Sequence, residues 1–153
     1  MKQLMREEKP LALIPGGFEE ATIHSSRSHR VYLKNRKGFV KYALQAGYHL
    51  VPCYCFGESE TFSNIQGAWS LRFWLNKQGM VGVVPFGTWW CPFMPRNKRM
   101  HIVVGEPLEL PQIEYPTNKQ IDEHHKSYIS KLSGLFDRHK GDYGMDAESM
   151  EIW

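Results

Sequence analysis

Only three cysteines occur in this 153-residue chain, and none stands in a Cys-x-x-Cys pair. An odd count closes no disulfide framework, so Cys53, Cys55 and Cys91 are expected as reduced thiols. Long hydrophobic runs are missing as well: nothing reaches the ~18 to 20 unbroken apolar residues of a spanning helix. Residues 1–10, MKQLMREEKP, form a polar leader with no apolar central region, so this stretch is no signal peptide. A net charge of +3 is too mild for the concentrated basic face that nucleic acid requires, and no nucleic-acid partner is expected. No Gly-x-Ser-x-Gly elbow, phosphate loop or dinucleotide glycine pattern occurs, which leaves hydrolase, kinase and dehydrogenase readings without a motif. His24, His29, His49, His101, His124, His125 and His139 show no catalytic or metal-ligand spacing, and no metal is expected. The His124-His125 pair points to two faces of a helix, and a lone histidine is more often simply hydrogen-bonded.

What is present reads as one globular domain, with 42% hydrophobic and 23% charged residues. Its central stretch is Arg36 to Glu58. Phe39, Val40, Ala43 and Leu44 recur at helical spacing, with Lys37, Lys41 and Gln45 between them, and Gly47 sits where a helix takes its left-handed stop. Leu50 to Phe56 follows as an apolar run too unbroken for a half-exposed strand, so it is expected to be covered on both faces, as in a parallel or mixed sheet. Phe56-Gly57-Glu58 then places a carboxylate at the strand's carboxyl end, the edge where open α/β sheets bind ligands.

Upstream, Leu11 to Ile14 predicts a buried strand, closed by Pro15-Gly16-Gly17 and followed by Phe18-Glu19-Glu20. This is either a strand with a polar turn or a site loop in which glycines admit a ligand beside a carboxylate. Residues 24–37 carry Arg27, Arg30, Lys34, Arg36 and Lys37 around Val31-Tyr32-Leu33, predicting a hairpin or edge strand with a basic rim. That rim is either solvated or turned to a phosphate. Downstream, Ile65, Trp69 and Phe73 share a helical face, with Leu71 and Leu75 beside it and Arg72, Asn76 and Lys77 as the polar side. Residues 79–95 hold no charge and end near Trp89, Trp90 and Phe93, and their prolines and glycines forbid a continuous helix. Arg96, Lys98 and Arg99 adjoin this segment. It is either a core loop or a surface resting at lipid head-group level. Met100 to Val104 predicts a further strand ended by Gly105-Glu106-Pro107. Thr117 with Gln120 predicts a capping box, opening a helix to about Lys140 with Ile121, His125, Tyr128, Leu132, Leu135 and Phe136 on its inner face. Residues 141–153 read as a flexible tail. The class these elements define is α/β, with a mixed, mostly parallel sheet flanked by helices.

Pro15-Gly16-Gly17 with Glu20, Arg36-Lys37-Gly38-Phe39-Val40-Lys41, Leu50-Val51-Pro52 leading to Phe56-Gly57-Glu58, Val103-Val104-Gly105-Glu106-Pro107 and Leu135 to Lys140 occur in one order along the chain. In that order the chain resembles the carboxyl-terminal part of the type 2 diacylglycerol acyltransferase family, which also holds monoacylglycerol and wax-alcohol acyltransferases. The resemblance implies that residues 11–140 are part of an acyltransferase domain of the glycerolipid acyltransferase fold. It further implies transfer of a fatty acyl group from acyl-CoA to the free hydroxyl of diacylglycerol, making triacylglycerol. Acyl-CoA is then a co-substrate, no cofactor is expected, and diacylglycerol and membrane lipid are the other partners.

The expected location is the cytosolic face of the endoplasmic reticulum membrane and lipid droplets. By resemblance Gly16, Gly17 and Glu20 shape the substrate site, Arg36 and Lys37 face the coenzyme phosphates, and Pro52, Gly57 and Glu58 form a second site loop. Trp89, Trp90, Arg96, Lys98 and Arg99 are the expected membrane contacts. The family's histidine block, His-Pro-His-Gly or Glu-Pro-His-Gly, lies upstream of the glycine motif, and nothing like it precedes Leu11. The chain is therefore expected to be a fragment or an internal start, inactive by itself and without a catalytic residue of its own. The alternatives are a monoacylglycerol or wax-alcohol acyltransferase, or a non-catalytic membrane-surface module.

Overall fold

The computed structural model describes Met5 and residues 9–153, so most of the polar leader lies outside the described residues. The elements, in chain order, are α1 (Gly17–Ile23), β1 (His29–Val31), α2 (Gly38–Ala46), β2 (Cys53–Phe56), β3 (Ser63–Asn64), α3 (Trp69–Lys77), β4 (Pro85–Phe86), β5 (His101–Val104), α4 (Asn118–His139) and β6 (Met150–Ile152).

The two helices with the clearest sequence signals form as read. In α2, Val40, Ala43 and Leu44 are buried, and Gly47 ends the helix at φ 70°, the left-handed region that a residue with a Cβ enters at a cost. In α4, Gln120 N–H donates to Thr117 Oγ1 at 3.3 Å and Thr117 N–H donates to Gln120 Oε1 at 2.9 Å, a reciprocal capping box. The inner face of α4 is Ile121, His125, Tyr128, Leu132, Leu135 and Phe136. Those side chains reach three connected cores. Ile121 meets α2 with Val40, Ala43, Leu44 and Leu110; Tyr128 and Leu132 meet Leu33; Phe136 meets Phe56 and Met145.

The expected α/β class is observed, and the pairing is mixed. β1 and β6 run parallel, whereas β2–β5 and β3–β4 are antiparallel, so the sheet is three two-stranded pieces and the antiparallel pairs outnumber the parallel one. Two strand expectations are corrected. Leu11 to Ile14 forms no strand, and Leu13 and Ile14 are 44% and 83% exposed, because no ladder partner stands beside them among the described residues. Leu50 to Phe56 is covered on one side only. Phe56 is buried against α4, while Val51 before β2, Cys53 on β2, and Ile102 and Val104 on β5 are exposed.

Two further differences concern long-range polar contacts. Residues 141–153, read as a tail, contain a 3-10 turn and β6, whose residues Met150, Glu151 and Ile152 pair with His29, Arg30 and Val31. In α3 the expected polarity holds in part: Trp69 and Phe73 lie against Trp153 and Tyr32 and Lys77 is exposed, but Arg72 and Asn76 are buried and Leu71 is exposed, as is Trp74. The cause is a polar hub. Arg72 donates to the carbonyls of Gly82 and Ile65 and to Asn64 Oδ1, each at 2.5 to 2.8 Å, and Asn76 donates to Thr22 Oγ1 at 2.9 Å. A buried guanidinium is tolerable only when its donors are satisfied in this way.

Candidate functional site

The glycine-acid turn at residues 15–20 opens α1, and its geometry depends on glycine twice. A Cβ on Gly16 would overlap the side chain of Glu20 one turn on, and Gly17 takes φ 61°. Freed of a side chain at Gly16, Glu20 folds inward and its Oε2 accepts the Tyr32 N–H at 3.0 Å. Burial raises the Glu20 pKa above the ordinary carboxylate value; the Tyr32 hydrogen bond opposes this, and the negative charge of Glu58 adds to it.

The charge of Glu58, on the second loop, thus acts on Glu20. Glu58 begins the turn after β2, its carbonyl accepting the Thr61 hydroxyl at 2.6 Å, and Gly57 before it holds φ 84° against the backbone of Arg99 and Met100. Pro52, at the other end of β2, is buried and its carbonyl accepts the Gly105 N–H at 2.8 Å, so both ends of the strand are clamped to the β5 chain. Gly16, Gly17 and Glu20 share the turn that opens α1, and Gly57 and Glu58 share the turn after β2; the two carboxylates form an acidic corner through their electrostatic effect on one another, whereas Pro52 is a support at the far end of β2.

Arg36 and Lys37 diverge. Arg36 forms an ion pair with Glu19 and its guanidinium lies 5.6 Å from the Tyr32 ring centroid, so it borders the glycine turn. Lys37 reaches the other way, to Asp122 on α4 at 2.7 Å, and that contact holds the Asp122 carboxyl below the ordinary range. The basic rim is therefore largely paired, Arg30 also meeting Glu151 at 3.1 Å. An anionic ligand at Arg36 or Lys37 would have to displace a carboxylate. Among the expected membrane contacts, Trp89 and Trp90 are exposed at 94% and 61%, Arg96 donates to Ser63 Oγ at 2.9 Å, Lys98 pairs with Glu60 at 2.6 Å, and Arg99 is exposed.

Sequence reasoning passed over one constellation beside this corner. His29, 3% exposed, stands with Nε2 2.5 Å from a Glu148 carboxylate oxygen and Nδ1 2.7 Å from the Tyr54 hydroxyl. Because a carboxylate only accepts, Nε2 carries the proton that it donates to Glu148, and Nδ1 pairs with the Tyr54 hydroxyl. Burial raises the Tyr54 pKa, with Glu58 and Glu20 adding their charge, so this hydroxyl stays protonated and is a donor rather than a base. No spacing joins residues 29, 54 and 148, and Glu148 sits in the stretch read as a tail, so only pairing of β6 with β1 reveals it. His125, by contrast, is the hydrogen-bonded core histidine expected: its Nε2 lies 3.0 Å from the Leu33 carbonyl, and burial lowers its pKa.

The sign of the Glu20 shift makes a prediction. A carboxyl whose pKa is raised on folding binds its proton more tightly in the native state, so it costs stability as pH rises from the ordinary carboxylate range through the raised value. Glu20→Gln keeps the acceptor for Tyr32 and removes the charge. Urea unfolding across that window is expected to show a flatter pH dependence in the variant, with the two proteins converging at the acid end. A parallel slope would mean that Glu20 is solvated.

Fold and site together define an α/β domain with two glycine-acid loops, one of them carrying the half-buried carboxylate of Glu20. The diacylglycerol acyltransferase family matches this chain over residues 2–152. The chain is 38% identical to diacylglycerol O-acyltransferase 2-like protein 6 of Homo sapiens over 93% of its own length and 46% of that protein's. It is 36% identical to diacylglycerol O-acyltransferase 2 of Mus musculus, over 93% of this chain and 40% of the relative. The Xenopus tropicalis protein of the same name is 38% identical, over 90% and 41%. No solved structure matches. The chain belongs to the diacylglycerol acyltransferase family, and it spans less than half the length of these relatives.

Proposed function

We propose that this chain is the carboxyl-terminal portion of an acyltransferase that moves a fatty acyl group from acyl-CoA to the free hydroxyl of diacylglycerol, giving triacylglycerol. The observation that carries this reading is the family match along residues 2–152, which includes both glycine-acid loops. In this reading Glu20, held by Tyr32 and neighboured by Glu58, is a polar anchor for the acceptor or the acyl donor. Gly16, Gly17 and Gly57 let backbone approach the substrate, and Arg36 lies at the border where coenzyme phosphates would compete with Glu19. No residue of this chain is assigned as the general base on the acceptor hydroxyl. The substrates are lipids, so the working location is a membrane surface, the cytosolic face of the endoplasmic reticulum or a lipid droplet, with Trp89, Trp90 and the Arg96 to Arg99 stretch in contact.

The test is transfer from labelled oleoyl-CoA to diacylglycerol in microsomes of triacylglycerol-deficient yeast. This chain is compared with a form carrying the coding sequence upstream of Met1. Triacylglycerol is expected only from the longer form, and Glu20→Ala in that form is expected to lower turnover at least about tenfold, on the scale of losing one placed polar contact to a reacting substrate. Product with monoacylglycerol or a fatty alcohol, and none with diacylglycerol, would reassign the acceptor. No product from either form at normal expression would overturn the acyltransferase reading.

A further inference from the structure

Residues 61–96 leave and rejoin the domain at one point, where the Arg96 N–H donates to the Thr61 carbonyl at 2.9 Å. Between those residues several polar side chains are buried and several large apolar ones are exposed. The interior is polar: Asn64 Oδ1 accepts from Arg72 and from the Val84 N–H, Asn64 Nδ2 donates to the Thr22 carbonyl, and Asn76 Oδ1 accepts the Gly82 N–H. The exterior is apolar. On α3, Leu71 and Trp74 are 59% and 54% exposed, and beyond β4 Trp89, Trp90 and Phe93 are 94%, 61% and 83% exposed. The two exposed sets share one frame, since Asn64 pairs with Pro85 of β4 and also holds Arg72 of α3.

We infer that residues 61–96 form an inside-out platform that docks on a lipid surface, with the Leu71–Trp74 face of α3 as its second insertion element beside the Trp89–Phe93 turn. The inference rests on the membrane reading above and extends it to a helix whose sequence pattern assigns it to the core. Three features select lipid as the occupant. Indole and phenyl rings without intervening charge suit the head-group boundary, and residues 79–95 contain no charged side chain.

Backbone polar groups that enter a region of low dielectric need internal partners, and four N–H groups of this stretch have them. Gly87 N–H donates to the Pro92 carbonyl at 2.7 Å, Thr88 N–H to Met94 at 3.0 Å, Met94 N–H to Cys91 at 2.9 Å and Met80 N–H to Leu75 at 3.0 Å. Finally, the border carries exposed cations, Lys77 at the end of α3 and Arg99 past the turn, that complement anionic head groups, while Lys98 between them is paired with Glu60. The face of α3 is also not free to turn inward, because rotating it would expose Arg72 and Asn76 and strand their buried partners.

The experiment is co-sedimentation of the full chain with vesicles of phosphatidylcholine and phosphatidylserine. Leu71→Ser with Trp74→Ser, both exposed and so compatible with folding, is expected to weaken binding at least about tenfold, as removal of two inserted apolar side chains should. Ile102→Ser, an equally exposed apolar site outside the platform, is expected to leave it unchanged. In the unmodified chain brominated phospholipid is expected to quench tryptophan emission, with a smaller quench in Trp74→Leu. If the α3 variant binds like the parent while Trp89→Ser with Trp90→Ser is defective, the inference fails and the membrane reading stands. If no form binds vesicles, both fail. If Trp74 instead supports self-association in sedimentation without lipid, a second copy is the occupant and the inference is overturned.

Discussion

Phe136→Ala is expected to cost about 4 kcal/mol of stability, the middle of the range for emptying a fully buried phenyl site. Phe136 is 0% exposed and touches two strands at once. It stacks on Phe56 of β2 at 5.4 Å and 18°, meets Tyr54 edge-on at 5.2 Å, and lies 4.9 Å from the His29 ring of β1. The surrounding rings are anchored to different elements, α4 to the core by its whole inner face and β2 to β5 by its ladder, so the void cannot close by a simple shift. Against a typical domain stability of about 5 to 15 kcal/mol, such a loss leaves a marginal fold. Urea unfolding monitored by circular dichroism measures it, with Trp89→Ala as the surface comparison expected within about 0.5 kcal/mol of the parent. A Phe136→Ala cost below about 1.5 kcal/mol would show that the site collapses and that the aromatic contacts are not a shared core.

The same cluster shows what a sequence reader could and could not see. Phe136, Leu135 and Leu132 are legible because helical periodicity and the Thr117–Gln120 box are local: every residue that fixes the pattern lies within a turn of the next. Gly47 is legible for the same reason. The partners across the core are not local. Leu50 to Phe56 looks two-sided because its apolar run is unbroken, yet β5 leaves Ile102 and Val104 on the same bare face as Cys53, and nothing within the run reports which strand will lie beside it. In α3 periodicity finds the Trp69 and Phe73 side but misplaces Arg72, Asn76 and Leu71, because the decisive contacts come from Asn64, Gly82 and Thr22, none of them in the helix.

The site divides along the same line. Gly16, Gly17, Glu20, Gly57 and Glu58 could be marked from turn chemistry at the ends of apolar runs. The hydrogen bond from Tyr32 to Glu20, the divergence of Arg36 and Lys37 to Glu19 and Asp122, and the bridge from Glu148 through His29 to Tyr54 depend on which elements fold together.

Gly57→Ala is expected to be as costly as the loss of a core phenyl, and for two reasons that can be separated. Gly57 holds φ 84°, where a Cβ meets the chain's own backbone at a cost of roughly 1 to 2 kcal/mol. In addition, a Cβ there would overlap the Arg99 carbonyl oxygen, with Met100 Cα next to it at 3.6 Å, so the backbone that enters β5 must move. Backbone has no alternative rotamer to retreat into, and the displacement would pull His101 from its register opposite Phe56. A total of about 3 kcal/mol or more follows, placing this among the substitutions whose mechanism is strain combined with overpacking.

Gly67→Ala isolates the first contribution. Gly67 holds φ 110°, but a Cβ there meets no heavy atom within 4 Å among the described residues, so its cost should be the conformational strain alone. The difference between the two variants in urea unfolding therefore measures how tightly the Phe56-Gly57-Glu58 turn is clamped against residues 99 and 100. A large difference, accompanied in Gly57→Ala by a weaker pH dependence from Glu20 as Glu58 moves away, would show that the clamp sets the spacing of the two carboxylates. Equal costs would mean that the turn is held only by its own conformation, and that the acidic corner owes its geometry to the Gly16–Glu20 packing instead.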